Sequence, residues 1–107
     1  MLTGEFTTEI TEASSTCLCN LHTRAFDPAI FEAAGIADCF DKMPRILESV
    51  ECGGTVTAQA AAATGLAEGT PVVGGFFDID ACDFVSGAAD TETLCLIAGT
   101  WSINERL

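Results

Sequence analysis

Two apolar runs in this chain each end on a residue able to do chemistry. PVVGGFF at 71–77 ends at Asp78, and LCLIA at 94–98 ends at Gly99 and Thr100. Open α/β sheets place their sites at the C-terminal ends of strands. A carboxylate there can take the proton of a hydroxyl group. A glycine–hydroxyl turn at the next strand end can offer N–H and O–H donors to phosphate oxygens. Together they suit transfer of a phosphoryl group to an alcohol. Each also has a plainer reading: Asp78 as the cap of a following helix, and Gly99–Thr100 as an ordinary turn. Gly74 and Gly75, just upstream, permit close backbone approach near a substrate, or else form a bulge.

Asp78, Asp80 and Asp83 spell D-x-D-x-x-D. A calcium loop would need further oxygen ligands and a glycine, which Cys82 and Asp83 do not supply. A D-x-D phosphatase would carry Thr or Val where Cys82 stands. Asp80 is therefore expected to cap a helix and Asp83 to be solvated, with no metal bound. Zinc is not expected, because Cys17 and Cys19 are not a CxxC pair and His22 is the single histidine. His22 and Arg24 are expected to be structural or exposed, and Trp101 to pack.

The 107 residues suffice for one small domain, and 49% apolar content can bury a core. The net charge of −12 repels phosphate backbones and anionic membrane surfaces, so neither nucleic acid nor membrane is expected as a partner. With four basic residues in all, phosphate handling must rest on backbone N–H groups, bound cations or residues outside the chain. Residues 1–5 have no basic, apolar character of a signal peptide, and no stretch reaches the roughly 20 apolar residues of a membrane span. The expected location is the cytoplasm. The six cysteines, several inside apolar runs, are then expected to be reduced, buried thiols.

The elements that must position Asp78 and Gly99–Thr100 can be read from caps and stops. Asp27, Pro28 and Gly35 mark the start and end of a helix whose core side would carry Ile30, Phe31 and Ala34. Thr57 and Gly65 bracket a second helix. Asp38 is placed to cap a short turn ending before Pro44. Residues 16–22 read as a strand, and 46–56 as extended chain broken at Gly53–Gly54. A strand over 71–77, a helix over 81–85 stopping near Gly87, and a strand over 94–98 would form a βαβ-like unit. The class is α/β with a mixed sheet.

Several segments, in order, resemble the FGGY carbohydrate kinases. LTGEF at 2–6 and EASST at 12–16 resemble that family's "LTGE…(D/E)AS.T" stretch. HTRAFDP at 22–28 fits it, and GTVTAQAAAATGLAEGTPVVGG at 54–75 resembles its "G.(L/V)T.EAA..TGL.EGTPV..G". Asp78 with Ala81 resembles its catalytic aspartate motif, and AGTWS at 98–102 its phosphate-contacting turn. The GGFFD and GTWS variants are most similar to the L-xylulose (lyxose) kinase-like branch.

The resemblance implies a ribonuclease-H-like domain of the actin/hexokinase type. Residues 1–93 would be the C-terminal part of the N-terminal, sugar-binding domain, and 94–107 the first strand and phosphate turn of the ATP-binding domain. Asp78 would be the catalytic base, Gly75 and Asp78 would meet the substrate, and Gly99 and Thr100 would meet ATP. The cofactors would be ATP and Mg²⁺, and the acceptor a pentulose or polyol. Some relatives carry Asn or Gln directly after that aspartate; Ile79 has no such hydrogen-bonding side chain. The family's N-terminal phosphate hairpin and downstream adenine site are not in this sequence, so the fragment alone is expected to be inactive and to self-associate. A non-catalytic acidic binding or assembly module with a kinase-like fold is the alternative, and a D-x-D phosphatase a third.

Overall fold

A computed structural model describes residues 2–88 and 90–105. The chain divides into two compact units, 1–76 and 77–107. In the first, β1 (Thr7–Glu9) pairs in parallel with β4 (Arg45–Leu47), Thr8 facing Ile46. The chain between them carries α1 (Ile10–Ser15), the short antiparallel pair β2 (Cys19–Asn20) and β3 (Ala25–Phe26), α2 (Pro28–Ala33) and a 3-10 segment, Ala37–Lys42. β5 (Cys52–Thr55) then pairs antiparallel with β6 (Pro71–Val73), and α3 (Ala58–Thr64) connects them.

Local chemistry sets these boundaries. Asp27 accepts from Ala29 N at 3.0 Å with Pro28 in the first turn, and Gly35 leaves α2 with φ +74°. Thr57 accepts from Ala60 N at 3.2 Å, and Gly65 closes α3 at φ +79°. The core of this unit is Ile10, Ala13, Cys19, Phe31, Leu47, Val56 and Ala60. Phe31 is fully buried between the edges of Phe26 and Phe40, with ring centroids 6.1 and 5.4 Å away. Ile30 is half-buried and Ala34 exposed, so α2 packs on a narrower face than its pattern implied.

The second unit is α4 (Asp78–Ser86) and a hairpin of β7 (Cys95–Ala98) and β8 (Ser102–Glu105). The hairpin alternates: Cys95, Ile97, Ile103 and Glu105 are half-buried, while Leu96, Ala98, Ser102 and Asn104 are exposed.

The α/β class holds, but several expectations change. Parallel and antiparallel pairing both occur, as expected of a mixed sheet, but the described strands form small two-stranded ladders, one parallel and three antiparallel. The strand expected at 16–22 shrinks to Cys19–Asn20, because Asn20 Oδ1 accepts from His22 N and ties the chain into a turn. The break expected at Gly53–Gly54 is a register shift within β5, between Cys52 and Gly54, and a second interruption falls at 48–51, where Glu51 accepts from Glu48 N. The βαβ-like unit expected over 71–98 is not among the described ladders, since β6 pairs with β5 and β7 with β8. Asp38 is not a cap: the 3-10 segment starts at Ala37 after Ile36, which gives no side-chain cap, and Asp38 lies in its first turn. All six sulfurs are free, yet Cys17, Cys52 and Cys82 are exposed and Cys19 alone among the six is buried. Among the described residues no helix is long and apolar enough to cross a membrane.

Candidate functional site

Asp78 is the first residue of α4. The helix begins here, three residues earlier than the sequence pattern implied. Phe77 precedes it in extended conformation and supplies no side-chain cap. A carboxylate in the first turn is favoured by the positive end of the helix dipole, and Asp80 shares that turn. Asp80 therefore lies inside the helix and is not its cap.

The loop between β7 and β8 is Gly99–Thr100–Trp101, closed by the Ala98–Ser102 pair. Gly99 N–H donates back to the Trp101 carbonyl at 3.3 Å. Thr100 contributes a hydroxyl donor at the loop's tip.

Asp78, Gly99 and Thr100 line one cavity of about 500 Å³ within the second unit. Its walls include Ile79, Cys82, Ile97 and Trp101. The arrangement sets a proton acceptor, a hydroxyl donor and the uncapped start of a nine-residue helix around one space. Helix starts of this kind favour anions through their unsatisfied N–H groups. Trp101 is 79% exposed and is a wall of this cavity, contrary to the packing role expected of it.

Gly75 belongs to the first unit and is not among the cavity's lining residues. It follows β6 at φ +89°, and its N–H donates to Ser49 O at 3.0 Å. Gly74 does permit a close approach, but to the chain itself. A Cβ there would lie 2.9 Å from Glu48 O and 3.0 Å from Glu9 Cγ.

The acid that organises the first unit is one the sequence pattern did not single out. Glu9 is 4% exposed. It caps α1, accepting from Thr11 N at 2.9 Å and Glu12 N at 3.2 Å, and takes Ser49 Oγ at 2.7 Å. Burial pushes its carboxyl up, but the bonds from Thr11, Ser49 and Glu12 outweigh that and hold it below the usual range. Glutamate is not a usual N-cap residue, which hid it. Arg24 is exposed and pairs with Glu48 at 2.8 Å, and His22 is exposed, as expected.

Asp83, expected in solvent, is 2% exposed. It lies on the side of α4 that faces the half-buried row of the hairpin, beside Cys95 and Glu105. The nearby D-x-D-x-x-D spacing carried no sign of this, since the burial depends on the hairpin. No group of three or more candidate metal ligands occurs among the described residues.

Residues 1–84 match the pattern described as "FGGY family of carbohydrate kinases, N-terminal domain". The chain is 39% identical over 102 residues to the L-xylulose/3-keto-L-gulonate kinase of Escherichia coli (strain K12), covering 95% of this chain and 20% of that protein. It is 40% identical over 102 residues to the L-fuculokinase of the same strain, covering 95% and 21%. Among solved structures, the ligand-bound xylulose kinase from Lactobacillus acidophilus matches with a TM-score of 0.80 at 23% identity, over 94% of this chain and 20% of that one. Plasmodium falciparum glycerol kinase with ADP matches at 0.77 and 20% identity, over 94% and 19%. The fold is therefore that of part of an actin/hexokinase-type sugar kinase. The chain spans about a fifth of the length of the curated relatives it matches.

Proposed function

The chain belongs to the FGGY family of carbohydrate kinases, and from that premise we propose that it is part of a longer ATP-dependent kinase that phosphorylates a hydroxyl of a pentulose or polyol. The observation that carries the reading is that Asp78 and the Gly99–Thr100 turn line one cavity. Asp78 accepts the proton of the attacking hydroxyl. Thr100 donates its hydroxyl to an oxygen of the transferred phosphate, and the N–H groups at the start of α4 add to the local positive field. Ile79, Ile97 and Trp101 give the cavity an apolar wall.

ATP fits these residues only at its phosphates. ATP supplies the phosphoryl group; the cavity holds no Lys or Arg and the described residues contain no cluster of metal ligands. Magnesium and the adenine ring would be held outside this chain. In this reading 1–93 close the sugar-binding domain, 94–107 open the ATP-binding one, and Gly75 meets the sugar or polyol, the role its place in the family motif implies. The segment alone is inactive and associates with itself through side chains such as Phe84, Val85 and Leu96, which are exposed in the described structure. The cytoplasm is the compartment that suits such an enzyme.

The test is an assay of ADP release by the kinase that contains this segment, against a panel of ketoses and polyols. Activity that depends on Asp78 supports the reading. ATP-independent hydrolysis of phosphate esters would support a phosphatase instead.

A further inference from the structure

The second unit holds a pair of acids that the phosphoryl-transfer chemistry does not use. Asp83 is on α4, on the same helix as Asp78, and is 2% exposed. Carboxylates are almost never buried to that degree without a partner. Glu105 is on β8, opposite Cys95, in the hairpin's half-buried row. Asp83 Oδ1 and Glu105 Oε2 are both buried, and neither accepts from a donor among the described residues. The two side chains meet where α4 packs on the hairpin.

Two ionised carboxylates are acceptors only and cannot bond each other. One proton between them converts repulsion into a short O–H···O⁻ bond and satisfies both buried oxygens. Among the other groups facing the pair, the Cys95 thiol is a weak S–H donor toward Asp83, and it still leaves Asp83 Oδ1 and Glu105 Oε2 unpaired. Asp80, from α4, adds a further negative charge. The Cys95 thiol, from β7, faces Asp83 and lies 4.0 Å from Ser86 Oγ. Residues 77–105 contain no Lys, Arg or His, and Arg106 lies outside the described residues.

We propose that Asp83 and Glu105 share one proton, and that this proton is a clasp holding α4 to the β7–β8 hairpin and so positioning Asp78 across the cavity from the Gly99–Thr100 turn. The clasp itself follows from the buried pair; its bearing on turnover rests on the function proposed above. Burial, then Asp83, then Asp80 push the Glu105 carboxyl up to about 7. An acid raised in the folded state contributes stability that is complete below the ordinary carboxylate range and is lost as pH rises through the raised value. The clasp is therefore closed at pH 5–6 and opens above about 7, when a second negative charge enters the seam. Asp83 is a positioning residue in this account. It touches neither phosphate nor acceptor.

The experiment is a carboxyl-carbon NMR titration of the 107-residue chain, wild type and Asp83→Asn, with amide exchange of α4 followed across the same pH range. The wild-type Glu105 midpoint should lie near 7, and α4 amides should lose protection as pH passes through it. Asp83→Asn supplies an N–H donor without a proton to lose. Its Glu105 midpoint should fall by about two units or more, and α4 protection should become flat with pH. A wild-type midpoint near the ordinary value of about 4.3 overturns the clasp, as it would if a cation such as Arg106 held Glu105 ionised. A midpoint still near 7 in Asp83→Asn also overturns it. In the longer kinase, wild-type kcat should fall several-fold between pH 6.5 and 8 beyond any fall seen in Asp83→Asn. Identical profiles would contradict the positioning role. A wild-type kinase inactive on every ketose and polyol, with the Glu105 midpoint near 7, would sink the proposed function and leave the clasp standing.

Discussion

Ser49 Oγ donates to Glu9 Oε1 at 2.7 Å, tying the turn after β4 to the residue that ends β1 and caps α1. One carboxylate thus satisfies backbone donors at a helix start and a hydroxyl forty positions along the chain. Glu9→Ala should leave these donors unpaired in a buried place and destabilise the first unit by about 2–4 kcal/mol. Denaturant unfolding, wild type against variant, measures it. A cost below about 0.5 kcal/mol would show that water replaces the carboxylate freely.

The same residue sets a pH dependence opposite to that of Glu105. The folded-state pKa of Glu9 is lowered, so its contribution is present above the ordinary carboxylate pKa and lost as pH falls through the lowered value. Melting temperature of the wild-type chain should therefore drop more steeply than that of Glu9→Gln as pH falls below about 4.5. Parallel curves would remove Glu9 from the acid response.

Gly74 has no room for a side chain. Its Cβ would meet a backbone oxygen at 2.9 Å as well as Glu9. Gly74→Ala should cost about 1–3 kcal/mol, the scale of overpacking. Gly75 has open space around it, and the cost of Gly75→Ala should come from its φ of +89° alone. Thermal unfolding of both variants separates the two causes. Equal stability of Gly74→Ala and wild type would contradict the close approach.

The thiols should differ in reactivity by their surroundings. Cys17, Cys52 and Cys82 are exposed and should be alkylated first in the native chain. Cys19 is buried, which raises its pKa, and should react only on opening. Time-resolved mass spectrometry after iodoacetamide reads the order. Early labelling of Cys19 would place the described core in doubt.

What the sequence made legible was local. Asp27 with Pro28, Thr57, Gly65 and Gly87 mark helix ends through contacts within a few residues, and each sits at or beside the expected boundary. The motif order carried the family. What stayed hidden depends on distant neighbours. Asp83 reads as a solvated acid until a hairpin covers it, and Trp101 as a core residue until its loop faces an open cavity. Strand 16–22 had the right alternation, but a side-chain-to-backbone bond from Asn20 ended it. The cysteines in apolar runs were expected inside because strand faces cannot be assigned without knowing what covers them; Cys82 points to the cavity and Cys95 to the seam.

The proposed kinase chemistry turns on Asp78 taking the acceptor's proton. Its most direct test is steady-state kinetics of Asp78→Asn in the kinase that contains this segment, with a ketose or polyol that the wild type phosphorylates. A general-base role predicts a kcat lower by at least about a hundredfold, with KM for ATP little changed because such a base would act on the acceptor hydroxyl. Near-normal turnover in a folded Asp78→Asn enzyme would contradict it.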